Sequence, residues 1–330
     1  MDFTRVLSKE NRTFYMGIAM LWIIGYHLWL HDMSFYDTSF KLFSHIFKFG
    51  YVGVDIFFFL SAYGLCHSYS NSSWKSFYFK RFVRIVPLFV IYKFFCFAVG
   101  GGDFLQFLQY GLLQLSTITV IPYFCPKAIS QDWFVPAILN FYIIFPLLFK
   151  LAAKIYSKNN LWHILFLLGL YYGAHFLWGY IDGLYITRLP IALAGIFTYF
   201  YLKDKAYNKL ILLYAIFGMQ LFFIERHNLM YSAPVPLILY TLSIANFNIN
   251  DNVLINGINK VGEWSFEFFF SHGFAGWIYK GDNLLYFYIL FIIITIVLGI
   301  VLHIINKYVS KTLLRYCPDN LKYKARDKLL

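Results

Sequence analysis

The chain has 330 residues, 60% of them hydrophobic and only 13% charged, against roughly half and a quarter in ordinary soluble domains. That balance excludes a water-soluble globule. The formal charge of +12 would suit nucleic acid if it formed one broad face, but Lys and Arg stand in short clusters between apolar runs and read as membrane-topology signals.

Apolar runs of the roughly 20 residues needed to cross a hydrocarbon core of about 30 Å recur from Tyr15 almost to the C-terminus. They predict about ten transmembrane helices, near 14–30, 51–70, 84–101, 131–152, 161–180, 184–202, 209–225, 229–249, 261–280 and 283–308. The segment 104–120 is fairly apolar yet carries Gln106, Gln109 and Gln114, and is expected to be a re-entrant or interfacial helix on the outer side. Basic residues precede the first run and no small-residue cleavage site follows it, so it is expected to stay as a helix. The expected architecture is an all-α, polytopic helical bundle forming one membrane domain over 1–330, with a basic cytoplasmic tail at 309–330. No internal repeat of the kind that marks the halves of many secondary transporters stands out.

An even number of crossings puts both termini on one side. Arg5, Lys9, Arg12, Lys75, Lys80, Arg81, Arg84, Lys150, Lys154, Lys158, Lys203, Lys205, Lys307, Lys311 and Arg315 then share that side. The opposite loops hold few basic residues, among them Lys41, Lys48 and Lys127, so the termini are expected in the cytoplasm. Cys66, Cys96, Cys125 and Cys317 are scattered without metal-ligand spacing, and no metal is expected.

Ionisable residues inside a membrane are costly and mark functional positions by default. His27 lies in the outer part of the first span and Asp55 begins the second at similar depth, so a His–carboxylate arrangement for general-base catalysis is open beside plain interhelical hydrogen bonding. In FYFKRFVRIVP, Lys80, Arg81 and Arg84 form a basic cluster in which Arg81 and Arg84 are three residues apart and share a helix face. The cluster suits a phosphate-rich ligand and equally an anchor to anionic lipid. Arg188 enters the sixth span just before Pro190, and Glu267 and His272 lie inside the ninth. They are candidates for an internal cavity or for interhelical hydrogen bonding. The aromatic content of 23% is spread throughout and reads mainly as interfacial belt and helix packing.

The runs GIAMLWIIGYH, GYVGVDIFFFLSAYGL, FYFKRFVRIVPLF, WFVPAILNFYIIFPLL and GEWSFEFFFSH, from Gly17 to His272, resemble the acyltransferase-3 family in order and approximate spacing. The resemblance implies a multi-pass enzyme of the bacterial cytoplasmic (inner) membrane. Its expected reaction moves an acyl group, usually acetyl from cytoplasmic acetyl-CoA, onto a hydroxyl of a lipid-linked or cell-surface glycan such as O-antigen, capsule or exopolysaccharide. Acetyl-CoA is then a co-substrate, with no permanently bound cofactor, and the partners are acyl-CoA, the glycan acceptor and membrane lipid. His27, Arg81 and Arg84 match positions that the family uses: Arg81, Arg84 and Lys80 for the CoA phosphates, His27 as base or as the nucleophile of an acyl-histidine relay, with Asp55 beside it. Arg12, Arg188, Glu267 and His272 are the further candidates for cavity or oxyanion roles. Two departures stand out. Met16 occupies a position that is basic in many members, with Arg12 one turn earlier, and Ile138, Leu139 and Asn140 replace acidic residues of the fourth-span motif. The rival reading is a transporter or exporter of a small metabolite or glycan precursor, which buried His, Asp, Glu and Arg also fit.

Overall fold

A backbone in hydrocarbon has no water to bond, so apolar sequence of this kind satisfies its N–H and C=O groups internally, as helix. The computed structural model describes residues 7–31, 41–101, 103–120, 133–157, 188–212, 252–278 and 284–318, with scattered positions between 162 and 186; among these there is no strand. The helices are α1 (Lys9–His31), α2 (Lys41–Phe47), α3 (Val52–Ser70), α4 (Trp74–Gly100), α5 (Phe104–Leu115), α6 (Phe134–Tyr156), α7 (Gly183–Ile186), α8 (Leu189–Lys203), α9 (Val253–Glu263), α10 (Ser265–Ile278) and α11 (Leu284–Leu314). Polar caps set several starts. Ser8 Oγ accepts from the Asn11 N–H at 3.3 Å, Ser73 Oγ from Ser76 at 3.3 Å, Asp103 from Leu105 at 2.8 Å and Asn252 from Leu254 at 3.1 Å.

The chain forms two compact units, one of Met1–Gly64, Phe149–Leu177 and Ile186–Phe269, the other of Leu65–Leu148, Trp178–Tyr185 and Phe270–Leu330. In the first unit α1 is clasped at glycines. A Cβ on Gly17 would lie on the Ile258 carbonyl oxygen and one on Gly262 on that of Thr13, so α9 meets α1 backbone to backbone. Gly50 meets the Trp22 carbonyl in the same way, and Gly53 that of Ala19. The Trp22 Nε1–H donates to Ile46 O at 2.6 Å and the Trp29 Nε1–H to Ser44 Oγ at 3.0 Å, which ties α2 to the other end of α1. α8 is buried almost all round, and at Gly195 it comes within 2.5 Å of the Phe59 carbonyl, measured from where a Cβ would sit. Small residues at such crossings let helices gain dispersion contact where lipid supplies no hydrophobic drive.

In the second unit α4 carries a stack of rings: Phe77 lies 5.8 Å from Phe145 and 5.4 Å from Tyr69, and Tyr92 lies 4.6 Å from Phe270. α4 also packs along α11, whose outer side exposes Ile289, Ile292, Ile293, Ile296, Val297 and Ile300, a face suited to lipid.

Among the described residues, four helices are long and apolar enough to cross a membrane: Asn11–His31, Trp74–Gly100, Phe134–Tyr156 and Tyr286–Leu314. They correspond to expected spans near 14–30, 84–101, 131–152 and 283–308. α3 matches the span near 51–70 in place and has 19 residues, with Asp55 and His67 lowering its apolar character. The span near 229–249 lies outside the described residues, as do most of 161–180 and 209–225. Several boundaries differ from expectation: α1 begins at Lys9 rather than near 14, and α11 runs to Leu314, six residues into the stretch expected as the tail at 309–330. α4 begins at Trp74 rather than near 84, because Ser73 caps it and Lys80, Arg81 and Arg84 are accommodated inside the helix. The segment near 261–280 is divided at Trp264 into α9 and α10. The segment near 184–202 is divided at Arg188, and Pro190 sits in the first turn of α8, where its missing N–H costs nothing. α5, at 12 residues, extends about 18 Å and falls short of a hydrocarbon core.

Gly262→Ala is expected to destabilise the protein by about 1–3 kcal/mol, because the methyl group must displace the α1 backbone. Thermal unfolding in detergent, compared with Gly257→Ala, where a Cβ meets open space, checks this.

Candidate functional site

In the first unit, His27 sits one turn before the end of α1 and is exposed, in contrast to Ile23 and Trp29 on either side of it, which are buried. The Tyr26 ring meets it edge-on at 5.5 Å, and Tyr26 in turn meets Tyr51 edge-on at 5.5 Å and stacks on Trp29 at 5.9 Å. The imidazole therefore stands at the margin of a rigid aromatic group. An imidazole can take a proton from a hydroxyl brought within hydrogen-bond reach of it.

Asp55 is not at the level of His27. The contacts of Gly50 with Trp22 and Tyr26, and of Gly53 with Ala19 and Ile23, fix α1 and α3 as antiparallel neighbours. That register puts Asp55 about two helical turns, about 10 Å, deeper than His27. Its carboxylate is buried and pairs with Arg188 at 3.1 Å, and the guanidinium is itself nearly buried. The expected His–Asp arrangement is replaced by an Asp–Arg pair between α3 and the start of α8. Arg188 can reach it because the helix is interrupted there, leaving its side chain at the turn.

Arg12 reaches inward. Its guanidinium lies 5.5 Å from the centre of the Tyr63 ring, and its Nη1 is 2.7 Å from the point where a Cβ on Gly64 would sit. The absent side chain at Gly64 provides the room. Glu267 is buried in the first turn of α10.

In the second unit, Arg81 is half-buried with its guanidinium over two rings, Phe77 at 5.0 Å and Tyr142 at 5.9 Å. Cation–π contacts fix a guanidinium without neutralising it. Arg84 follows one turn on and is exposed, and Lys80 is half-buried. Among the described residues none of the three pairs with a carboxylate, so the cluster keeps its charge. Asn140, at the motif position that is acidic in many members, accepts a hydrogen bond from the Tyr185 hydroxyl, and Ile138 is buried. His272 is buried in α10, five residues and about 140° round the helix from Glu267, so the two point in different directions. The aromatic partners Tyr63 and Tyr142 are not singled out by sequence, since 23% of the chain is aromatic.

The model of the acyltransferase-3 family, an acyltransferase domain, matches residues 17–306, nearly the whole chain. The chain belongs to the acyltransferase-3 family. It is accordingly a membrane acyltransferase, and its apolar helices fit that class. Comparison with curated proteins and with solved structures gives no match. Within this acyltransferase, His27 and the cluster of Lys80, Arg81 and Arg84 fall inside the matched region, and Arg12 falls just before it.

Asp55→Asn is expected to cost about 3–5 kcal/mol, because it leaves Arg188 buried without its counter-charge. Replacing both partners, Asp55→Leu with Arg188→Met, is expected to restore most of that stability; thermal unfolding of the single and double variants provides the comparison.

Proposed function

We propose that this acyltransferase moves an acetyl group from acetyl-CoA onto a hydroxyl of a lipid-linked or cell-surface glycan. It would do so in the bacterial inner membrane, with both termini in the cytoplasm. The imidazole of His27 carries the reading, since it supplies a base within the matched region of a family whose members transfer acyl groups. Neutral imidazole takes the proton of the acceptor hydroxyl as its oxygen attacks the thioester carbonyl. The tetrahedral intermediate then collapses: the carbon–sulfur bond breaks, the sulfur leaves with the proton held by His27, and free coenzyme A and the acetyl ester result. Arg81 and Arg84, with Lys80, bind the phosphates of the donor, and the rings of Phe77 and Tyr142 hold Arg81 in place for it. Asp55 acts through Arg188 as a positioning pair that joins α3 to α8, away from the reacting atoms.

His27→Ala is expected to lower acetyl transfer by about 10²–10⁴-fold in protein that still inserts and folds. Near-normal turnover in that variant, followed by mass spectrometry of acetylated surface glycan, would overturn the assignment. Arg81→Ala and Arg84→Ala are each expected to weaken acetyl-CoA binding by about 1.5–3 kcal/mol while acceptor binding holds, as titration calorimetry would register.

A further inference from the structure

α4 and α11 run antiparallel in the second unit, and two contacts fix their register. Ser310 Oγ donates to Val83 O at 3.4 Å, and Cys317 Sγ lies 3.0 Å from Ser76 Oγ. Seven residues separate the two anchors along each stretch of chain, with Cys317 three residues past the end of α11, so the antiparallel register set at Val83 and Ser310 holds to that end of the helix. From Val83, Lys80 lies about 60° and Arg84 about 100° round α4; from Ser310, Lys307 lies about 60° and Lys311 about 100° round α11, in the same rotational sense. Between antiparallel helices packed face to face, equal rotation in the same sense leads to the same side of the seam. All four cations therefore line one flank. Along the seam Lys311 falls opposite the stretch between Lys80 and Arg84, and Lys307 falls within a turn of Arg84.

Arg84, Lys307 and Lys311 are exposed and Lys80 is half-buried; among the described residues none of the four pairs with a carboxylate. Lys80 and Arg84 are also four apart on one helix, as are Lys307 and Lys311, a spacing at which like charges destabilise a helix. The arrangement becomes favourable when an anion sits between them. A lipid phosphodiester brings a single negative charge, whereas four cations within two turns match a ligand that carries several phosphates together.

We propose that this flank is a polyphosphate site, in which Lys307 and Lys311 of α11 complete the surface that Lys80 and Arg84 begin on α4 and hold the phosphates of the nucleotide-bearing acyl donor. The inference rests on the donor reading given above, and adds α11 to it. It is tested by titrating the full-length protein with coenzyme A and with 3′-dephospho-coenzyme A, in nanodiscs of neutral lipid and in nanodiscs containing phosphatidylglycerol. Lys307→Ala with Lys311→Ala is expected to lose at least tenfold in coenzyme A affinity in both lipids, and Lys307→Arg with Lys311→Arg to stay near the unsubstituted protein. Unchanged coenzyme A affinity in the alanine variant overturns the inference, including the case in which only the retention of phosphatidylglycerol falls, and leaves the donor reading standing. Failure of the unsubstituted protein to bind coenzyme A overturns both.

Discussion

The close approach of main chain to main chain around α1 is the constraint on which the first unit depends. Gly17 and Gly262 bring α9 against α1, and Gly50 and Gly53 bring the start of α3 against its other side. In hydrocarbon, lipid tails are as apolar as leucine, so helices associate through dispersion and polar contacts that require short distances. Once those carbonyls and glycines are in register, the depths of every ionisable group on α1 and α3 follow. His27 stays near the end of α1 beside Tyr26 and Tyr51, Asp55 falls deeper, and Arg12 comes level with Tyr63 and Gly64.

Charge is handled in two ways. Asp55 and Arg188 are buried and meet each other, an arrangement whose Coulomb gain is largely offset by desolvation and which therefore specifies geometry more than it adds stability. Arg81 is held differently, by the faces of Phe77 and Tyr142, which orient the guanidinium and leave its charge in place. The first arrangement offsets one charge with the other; the second leaves its charge uncompensated.

Much of this was legible in the amino-acid sequence because membrane crossing imposes length and hydrophobicity on a segment. The apolar runs near 14–30, 131–152 and 283–308 are helices, and the motif order pointed to the right family. The failures are those of windowed reading. Lys80, Arg81 and Arg84 depress the local hydropathy, which delays the expected start of α4, whereas the cap at Ser73 sets its true start. The divisions at Arg188 and Trp264 depend on local backbone conformation that hydropathy does not register. Distance from a helix end sets Asp55 level with His27, but its depth is fixed by which residues of α1 the glycines touch. Tyr63 and Tyr142 were hidden among many aromatic residues, and only packing distinguishes a ring under a guanidinium from one facing lipid.

Arg12 stands one turn before the position, occupied here by Met16, that the family resemblance marks as usually basic, yet it extends into the space that Gly64 leaves empty. Residues 12 and 64 are thereby coupled sterically. A cation at residue 16 in place of Arg12 would leave Gly64 room for a side chain, while a side chain at residue 64 alone would make the Arg12 guanidinium shift from its place beside Tyr63. The order of substitution, and not only the final pair of residues, decides which routes through sequence space keep a positive charge at that point of the bundle.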